Sequence, residues 1–296
     1  MLAMGLGPRA LCPRDWKRNM YQCLRDMGAP LRPLLPPPEE DGLRRWNPYE
    51  FDHYVLLIGN SFVGIFEGLD MLMHDLSSRA YPRVRLAADK YTADGQPLSH
   101  IARTLGHDGI VQLLNSAPTR RGMQRFLVLQ DDLPDAASLE DSKWAHEAFK
   151  KANEAANFPF ELVVMGIPQY DARHKENTRY YTVEQTRDHA RAMAEMLGAR
   201  HADCLTLFET LSATDGVSFP LRWKDNEHPT MELYYGFALV VLMACFGRVE
   251  ARFPQTLSYG KKKAPRAHLT KVAHAARQTS FLEARRLPSR WLPWRG

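Results

Sequence analysis

The sequence predicts an α/β protein of three layers, in which helices cover both faces of a five-stranded, mostly parallel β-sheet. Five short apolar runs alternate with longer segments of helical periodicity. Such alternation is typical of a parallel sheet with crossover helices on both faces. The runs are mostly apolar at every position rather than at every second one, as expected of strands buried on both sides. With 296 residues the chain is long enough to bury such a core.

The predicted strands are four or five residues long. The second is the weakest prediction, because two arginines interrupt its apolar run. In chain order they are Tyr54–Ile58, Arg83–Ala87, Phe126–Leu129, Leu162–Met165 and Cys204–Phe208. The predicted helices are Ser61–Ser78, a segment within Pro97–Leu114 with a break near 106–109, Leu139–Ala156, Val183–Leu197 and Pro229–Phe246. The longest apolar stretch, within the last of these, is shorter than the roughly 20 residues of a membrane span, so it is predicted to be a buried core helix.

The two ends of the chain differ from its middle. Residues 29–41 are proline-rich and then acidic, which predicts an extended linker or a surface strap. Residues 260–296 hold ten lysines and arginines against one acidic residue, Glu283, although the net charge of the whole chain is only +5. We therefore predict a lead-in over 1–50, a folded domain over 51–250 and a basic tail over 251–296.

The basic tail has two interpretations. Trp291 and Trp294 lie among arginines, which suits contact with an anionic surface or partner, whereas a flexible solvated tail is the simpler reading. The helical spacing of Leu269, Val272 and Ala276 does not decide between them. Because the rest of the chain is net acidic, we do not expect the main domain to bind nucleic acid.

The cysteines and the first residues bear on location. The four cysteines, Cys12, Cys23, Cys204 and Cys245, form no CxxC pair. The first 18 residues contain no sustained apolar core of a secretory signal. These features predict reduced thiols in a cytoplasmic protein.

A serine follows the first predicted strand, in Gly59-Asn60-Ser61-Phe62. A dinucleotide fingerprint would need glycine where Ser61 lies, and a phosphate loop would need Lys-Ser/Thr after the second glycine, so neither pattern fits. A nucleophile at the start of a helix and a helix-capping serine remain open.

An aspartate and a histidine lie three residues apart in Asp225-Asn226-Glu227-His228-Pro229. On a tight turn the carboxylate of Asp225 reaches Nδ1–H of His228, which leaves Nε2 to face a serine. A surface loop that caps a helix is the alternative. Ser61 follows the first predicted strand, Gln130 ends the third, and Asp225 and His228 lie in the loop between the fifth strand and the last helix. We therefore expect these groups to gather at the carboxyl edge of the sheet.

These motifs resemble those of the SGNH (GDSL-like) hydrolase superfamily. Gly59-Asn60-Ser61-Phe62 is similar to its first block, in a G-N-S-F form, and Asp225-x-x-His228-Pro229 to its last block. The second block corresponds best to Gly95, and Leu129-Gln130 stands where the family's third block usually has an asparagine. The resemblance runs from about residue 54 to 247 and implies the flavodoxin-like SGNH fold, with 51–250 as the catalytic domain.

The resemblance also implies roles for these residues. Ser61 is the nucleophile, His228 the general base and acid, and Asp225 its orienter. The oxyanion and substrate-binding residues are Gly95, Gln130 and Asn60. No cofactor or metal is implied, and three adjacent histidine–acid pairs, at 74–75, 107–108 and 146–147, are interpreted as surface residues.

The predicted activity is hydrolysis of a small acyl ester, with an acetylated carbohydrate suggested by family analogy alone. An acyltransferase that uses the same residues, and a non-catalytic binding module whose working part is the basic tail, stay open as alternatives. Residues 169–181 follow the fourth strand, and their aromatic and cationic side chains suit either substrate contact or a solvated loop.

Overall fold

The computed structural model describes residues 43–44, 46–65, 68–81, 83–131, 138–168, 183–225, 228–247, 258–259 and 262–286. Its elements, in chain order, are β1 (His53–Gly59), α1 (Ser61–Gly64), α2 (Leu69–Ala80), β2 (Leu86–Thr92), α3 (Leu98–Ser116), β3 (Gln124–Gln130), α4 (Leu139–Ala155), β4 (Glu161–Gly166), α5 (Val183–Leu197), β5 (Arg200–Asp203), α6 (Cys204–Ala213), α7 (Met231–Phe246), β6 (Ser258–Tyr259), β7 (Lys262–Lys263) and α8 (Arg266–Arg286).

Strands β1 to β5 form one sheet in the order β2-β1-β3-β4-β5. All four pairings are parallel, so the predicted five-stranded α/β fold is confirmed. This order reverses direction at β1, where the chain crosses first to β2 and then to β3. Ligands of doubly wound sheets bind beyond the carboxyl ends of the strands at such a switch point. The residues that follow β1, β2 and β3 are therefore the ones placed to build a site.

The core lies in two layers, one on each face of the sheet. Along β1, Val55 and Leu57 join a cluster with α2, α6, α7 and α8, whereas Tyr54, Leu56 and Ile58 join a cluster with α3, α4 and α5. All five side chains are fully buried. Because alternate residues of a strand point to opposite faces, the continuous apolar run of β1 is what two covered faces require.

Helix α7 is buried along nearly its whole length and packs against α2, α6 and α8. It is the long apolar stretch of the sequence, and it forms the centre of one layer. Within the described ranges, no helix combines the length and the apolar character needed to cross a bilayer.

The predicted fifth strand was wrong. The strand is Arg200–Asp203, and the apolar run that begins at Cys204 is helix α6. Asp203 ends the strand because its carboxylate caps the helix, accepting the backbone N–H of Thr206 at 2.8 Å and its hydroxyl at 2.7 Å. Cys204, Leu207 and Leu211 then recur at helical spacing and are buried.

Two further elements differ from the prediction. The second strand runs from Leu86 to Thr92 rather than from 83 to 87. The first helix is split into α1 and α2, and Gly68, which directly precedes α2, has φ +99°. A Cβ at Gly68 would overlap the ammonium of Lys90, so this bend requires glycine. The break predicted near 106–109 is present in α3, where Gly106 has φ +64°.

A buried ionic cluster joins Arg44 and Trp46 to β2, the strand at one edge of the sheet. The guanidinium of Arg44 lies 2.7 Å from Asp70 Oδ2 and 2.9 Å from Asp89 Oδ1, and both carboxylates are fully buried. Asp89 also accepts hydrogen bonds from Trp46 Nε1 at 2.7 Å and from the Tyr54 hydroxyl at 3.0 Å. These partners satisfy the buried carboxylate, which is why a charged residue can occupy the middle of β2. The most distant of them in the chain, Arg44, lies 45 positions away.

The basic C-terminal region contains a helix, α8, that packs against the body. In α8, Leu269, Val272 and Ala276 are buried and pack against α7 in the first core cluster, so the spacing that left the prediction undecided is that of a packed helix. Trp291 and Trp294, the segment 169–181 and the proline-rich stretch 29–41 lie outside the described residues. The predicted division into lead-in, catalytic domain and tail stays a prediction.

Candidate active site

Ser61 is the first residue of the short helical turn that follows β1. The turn is capped by Asn60, whose side-chain oxygen accepts the N–H of Phe62 at 3.0 Å. Ser61 is therefore not the capping residue, and its hydroxyl is directed to another partner. Gly59 must be glycine, because a Cβ there would overlap Oε1 of Gln130 and lie 3.0 Å from Val63 Cγ2.

Asp225 and His228 lie in a tight loop between α6 and α7. The loop closes like a hairpin: Trp223 N–H donates to the carbonyl oxygen of His228 at 2.7 Å, and Thr230 N–H donates to that of Leu221 at 2.9 Å. The carboxylate of Asp225 accepts the backbone N–H of His228 at 3.1 Å. These bonds fix the two side chains relative to each other over only three residues.

Three side chains from distant parts of the chain form one hydrogen-bonded row. Asp225 Oδ2 lies 2.9 Å from Nδ1 of His228, and Nε2 of His228 lies 2.8 Å from Oγ of Ser61. The ring of His228 packs against that of the buried Phe62, with centroids 5.6 Å apart. The imidazole is 23% exposed and the carboxylate 39% exposed, so the row opens to solvent. A hydroxyl, an imidazole and a carboxylate in this order are the groups of serine nucleophilic catalysis.

Gln130 ends β3 beside Ser61 and is almost fully buried. Its side-chain oxygen accepts the N–H of Asn60 at 2.9 Å, and its Nε2 donates to the carbonyl oxygen of Asp131 at 2.9 Å. Gln130 therefore holds the residue that precedes Ser61. A primary amide carries two N–H groups, and the bond to Asp131 uses one of them.

Gly95 lies in the loop after β2, at φ +67°, a conformation that favours glycine. The loop is a turn in which Gln96 N–H donates to the carbonyl oxygen of Ala93 at 3.1 Å. Ala93 N–H in turn donates to that of Gly59 at 3.1 Å, which joins this loop to the end of β1. The structure thus brings Ser61, Asp225 and His228 into direct contact. It brings Asn60 and Gln130 beside them, and the turn that carries Gly95 is connected to the same strand end through Ala93.

Two residues of this region were missed in the sequence. Tyr234, buried in α7, donates its hydroxyl to the carbonyl oxygen of Val63 at 2.8 Å, and Asp131 accepts the N–H of Leu98 at 2.9 Å. Burial raises the pKa of Tyr234 well above its usual value, so it stays a neutral donor. The only signal for Asp131 was its place directly after Gln130 at a strand end.

The interpretation of all three histidine–acid pairs as surface residues was wrong for one histidine. His146 lies inside the protein, with Nδ1 2.8 Å from the carbonyl oxygen of Ser142, and burial lowers its pKa. Nearby, His189 Nε2 lies 2.8 Å from the hydroxyl of Ser142, and burial lowers its pKa to about 4. Both histidines line a small cavity of about 20 Å³ beside Asp131. They are neutral near pH 7, which suits their burial.

The fold and the row of side chains define a three-layer α/β/α protein with a hydroxyl, an imidazole and a carboxylate in contact. No protein-family model matches the chain, and neither does the sequence of any curated protein. Solved structures match it: a DUF4886 family protein from Bacteroides uniformis has a TM-score of 0.56 at 15% identity, over 78% of this chain and 95% of its own.

Two further solved structures are mutants of a Geobacillus esterase. One, called an acetyl-xylooligosaccharide esterase, has a TM-score of 0.50 at 16% identity, over 67% of this chain and 97% of its own. The other is a catalytic mutant called an acetylxylan esterase from Geobacillus stearothermophilus. It has a TM-score of 0.50 at 14% identity, over 68% of this chain and 97% of its own. At these identities the likeness is one of fold. The predicted resemblance to the SGNH hydrolases is confirmed for the fold.

Proposed function

We propose that the chain is a serine esterase of the SGNH type, which cleaves a small acyl ester through an acyl-enzyme. One observation carries the proposal: the unbroken row from Asp225 through His228 to Ser61, with contacts of 2.9 and 2.8 Å. The carboxylate favours the tautomer with a proton on Nδ1 of His228. Nε2 is then an acceptor, able to take the proton of the serine hydroxyl.

The proposed reaction has two halves. Ser61 Oγ attacks the ester carbonyl carbon while its proton moves to Nε2 of His228. The bond to the alcohol then breaks, and the imidazolium returns that proton to the departing oxygen. In the second half a water molecule takes the place of the alcohol. His228 accepts a proton from the water as its oxygen attacks the acyl carbon. The bond to Ser61 Oγ then breaks, the acid is released, and the imidazolium returns the proton to Oγ.

The developing oxyanion needs donors beside Ser61. We assign this role to the backbone N–H groups of Ser61 and Gly95 and to the second N–H of the Gln130 amide. Asn60 supports the same site through the cap on Phe62. Gln130 thus has two tasks, since its oxygen also holds the N–H of Asn60.

For the substrate class we propose an acetyl ester of a carbohydrate. The support is the fold shared with the Geobacillus acetylxylan esterase, together with the partly open row of catalytic groups. The cytoplasmic location and an anionic partner for the basic tail remain separate predictions of the sequence.

The test is hydrolysis of p-nitrophenyl acetate and of acetylated sugars by the wild type, Ser61→Ala and His228→Ala, with fluorophosphonate labelling. Each substitution is expected to lower kcat by at least about 10³-fold, and Ser61→Ala to abolish labelling.

The chain offers a matched control for His228. His268 also lies beside a carboxylate, with Nδ1 3.3 Å from Glu232, is 27% exposed, and stacks on Phe219 at 4.3 Å. His268→Ala is expected to keep full activity and labelling. Equal, feeble rates in all proteins with no labelling of the wild type would contradict the proposed function.

A further inference from the structure

Asp131 has a contact that the proposed chemistry does not use. It lies directly after β3 and is 8% exposed, and its Oδ1 accepts the backbone N–H of Leu98 at 2.9 Å. Leu98 is the first residue of α3. A hydrogen bond between a carboxylate and a backbone N–H at a helix start is charge-assisted and therefore strong.

This bond fixes the far end of the turn that carries Gly95. At its near end, Ala93 N–H is bound to the carbonyl oxygen of Gly59, the last residue of β1. At its far end, Leu98 N–H is bound to Asp131. The position of the Gly95 N–H is therefore set from both sides, once by the strand that leads to the nucleophile and once by Asp131.

The same strand end also fixes the nucleophile turn. Gln130 accepts the N–H of Asn60 and donates to the carbonyl oxygen of Asp131, each at 2.9 Å. Two adjacent residues, Gln130 and Asp131, thus connect both loops to β3. A shift of either loop changes the separation between Ser61 and the Gly95 N–H.

We infer that Asp131 is a positioning residue, which sets the oxyanion donor Gly95 relative to Ser61. The inference rests on the proposed esterase function. Asp131 does not touch the reacting atoms; it acts through Leu98 and the turn. A displacement of about 1 Å in a catalytic arrangement can cost on the order of 10²-fold in rate, so loss of this bond should lower kcat with little effect on KM.

The experiment compares Asp131→Ala with Asp131→Asn, whose side-chain oxygen still accepts the Leu98 N–H. We expect Asp131→Ala to lower kcat for p-nitrophenyl acetate about 10- to 100-fold, and Asp131→Asn to stay within about 3-fold of the wild type. Amide hydrogen exchange of Gly95, Gln96 and Leu98 should rise in Asp131→Ala only. Should Asp131→Ala fail to fold, Asp131→Ser replaces it, since its shorter side chain cannot reach Leu98 in the same geometry.

Asp203 provides the matched control. It is another buried aspartate at a strand end, and it caps α6 by accepting the N–H of Thr206 at 2.8 Å. It ends β5, which lies three strands from β1. Asp203→Ala is expected to lower the Tm about as much as Asp131→Ala, but to keep kcat within about 3-fold, because its cap is remote from Gly95.

The outcomes separate the inference from the proposed function. An active wild type with unchanged kcat in Asp131→Ala, equal losses in Asp131→Ala and Asp131→Asn, or an equal loss in Asp203→Ala would overturn the positioning role alone. A wild type with neither hydrolysis nor labelling would overturn the proposed function, and the positioning role with it.

Discussion

The hydroxyl of Tyr234 donates a hydrogen bond to the carbonyl oxygen of Val63 at 2.8 Å, and this bond attaches the helical turn of Ser61 to the buried helix α7. The same helix begins three residues after His228. Helix α7 therefore binds the turn of Ser61 through Tyr234 and directly follows the loop of His228. It holds this turn and this loop at a fixed separation.

Loss of this bond should reduce stability and activity together. Tyr234→Phe leaves the carbonyl oxygen of Val63 without this donor, at a cost of about 1–3 kcal/mol, and frees the turn that orients Ser61. We expect a several-fold lower kcat, measured beside the free energy of unfolding in urea. The control is Tyr81→Phe, which removes a 2.8 Å bond to the carbonyl oxygen of Gly247 at the opposite edge of the sheet. Loss of kcat in both variants would contradict a specific link to the site.

Gly59→Ala should damage the site through steric overlap. A methyl group at this position would overlap Gln130 Oε1 and press on Val63, so the amide must leave the N–H of Asn60. Overpacking of this kind costs about 1–3 kcal/mol, and we expect kcat to fall at least about 10-fold. In Gly109→Ala, by contrast, the new methyl would lie 3.4 Å from Leu105 in α3, and helix propensity predicts a gain of about 0.5–1 kcal/mol. Thermal unfolding and initial rates of both variants provide the check.

Two substitutions separate the two tasks of Gln130. Gln130→Met removes both its acceptor and its donors, whereas Gln130→Glu keeps an acceptor for Asn60 N–H and removes the donors. If the amide N–H stabilises the oxyanion, both should lower kcat by about 10²–10³-fold. Steady-state kinetics decide the matter: near wild-type kcat in Gln130→Glu would leave Gln130 with the positioning task alone.

Asp89 and His189 should give opposite dependences of stability on pH. Burial raises the pKa of Asp89 from 3.8 to about 6, so the folded state binds a proton that the unfolded state has lost. The contribution of Asp89 to the free energy of unfolding therefore falls as pH rises from about 4 to 6. Burial lowers the pKa of His189 from 6.5 to about 4, so the unfolded state holds the extra proton and this contribution rises from about pH 4 to 6.5. In the wild type the two largely offset each other.

Single substitutions should therefore expose either slope. Asp89→Asn removes the contribution of Asp89, which falls by about 3 kcal/mol between pH 4 and 6. The unfolding free energy of this variant should therefore rise with pH more steeply than that of the wild type. His189→Asn should change the slope in the opposite direction. Urea unfolding at pH 4, 5, 6 and 6.5 measures both, and parallel curves for the wild type and either variant would contradict the assignment.

The sequence was sufficient for the layers of the fold, because apolar runs that alternate with helical segments build a parallel sheet covered on both faces. It also predicted that Nε2 of His228 faces Ser61, although the loop of His228 follows helix α6 rather than a strand. It failed at Cys204–Phe208, where a five-residue apolar run fits a strand or a helix equally well. The cap from Asp203 decided that case. The polar half of β2 was also missed, since Asp89 is stabilised there by Arg44, which lies 45 positions away.

The supporting contacts of the site lay beyond prediction for a similar reason. The bond of Asp131 spans 33 positions to Leu98, and that of Tyr234 spans 171 to Val63. Neither pair forms a motif, since any buried donor and acceptor could meet in this way. Short-range spacing predicted the groups proposed to react, whereas the side chains that hold them in place depend on the complete packing.

Ser61 and His228 touch at 2.8 Å but lie 167 positions apart in the chain. Closing so long a loop before the sheet and α7 have assembled costs chain entropy that only the finished core recovers, so this pair should form late in folding. Reactivity at Ser61 would then report on the folding of nearly the whole chain. A partly folded species can retain strands and helices and still show no fluorophosphonate labelling. The rate at which labelling recovers during refolding therefore measures the last step of assembly.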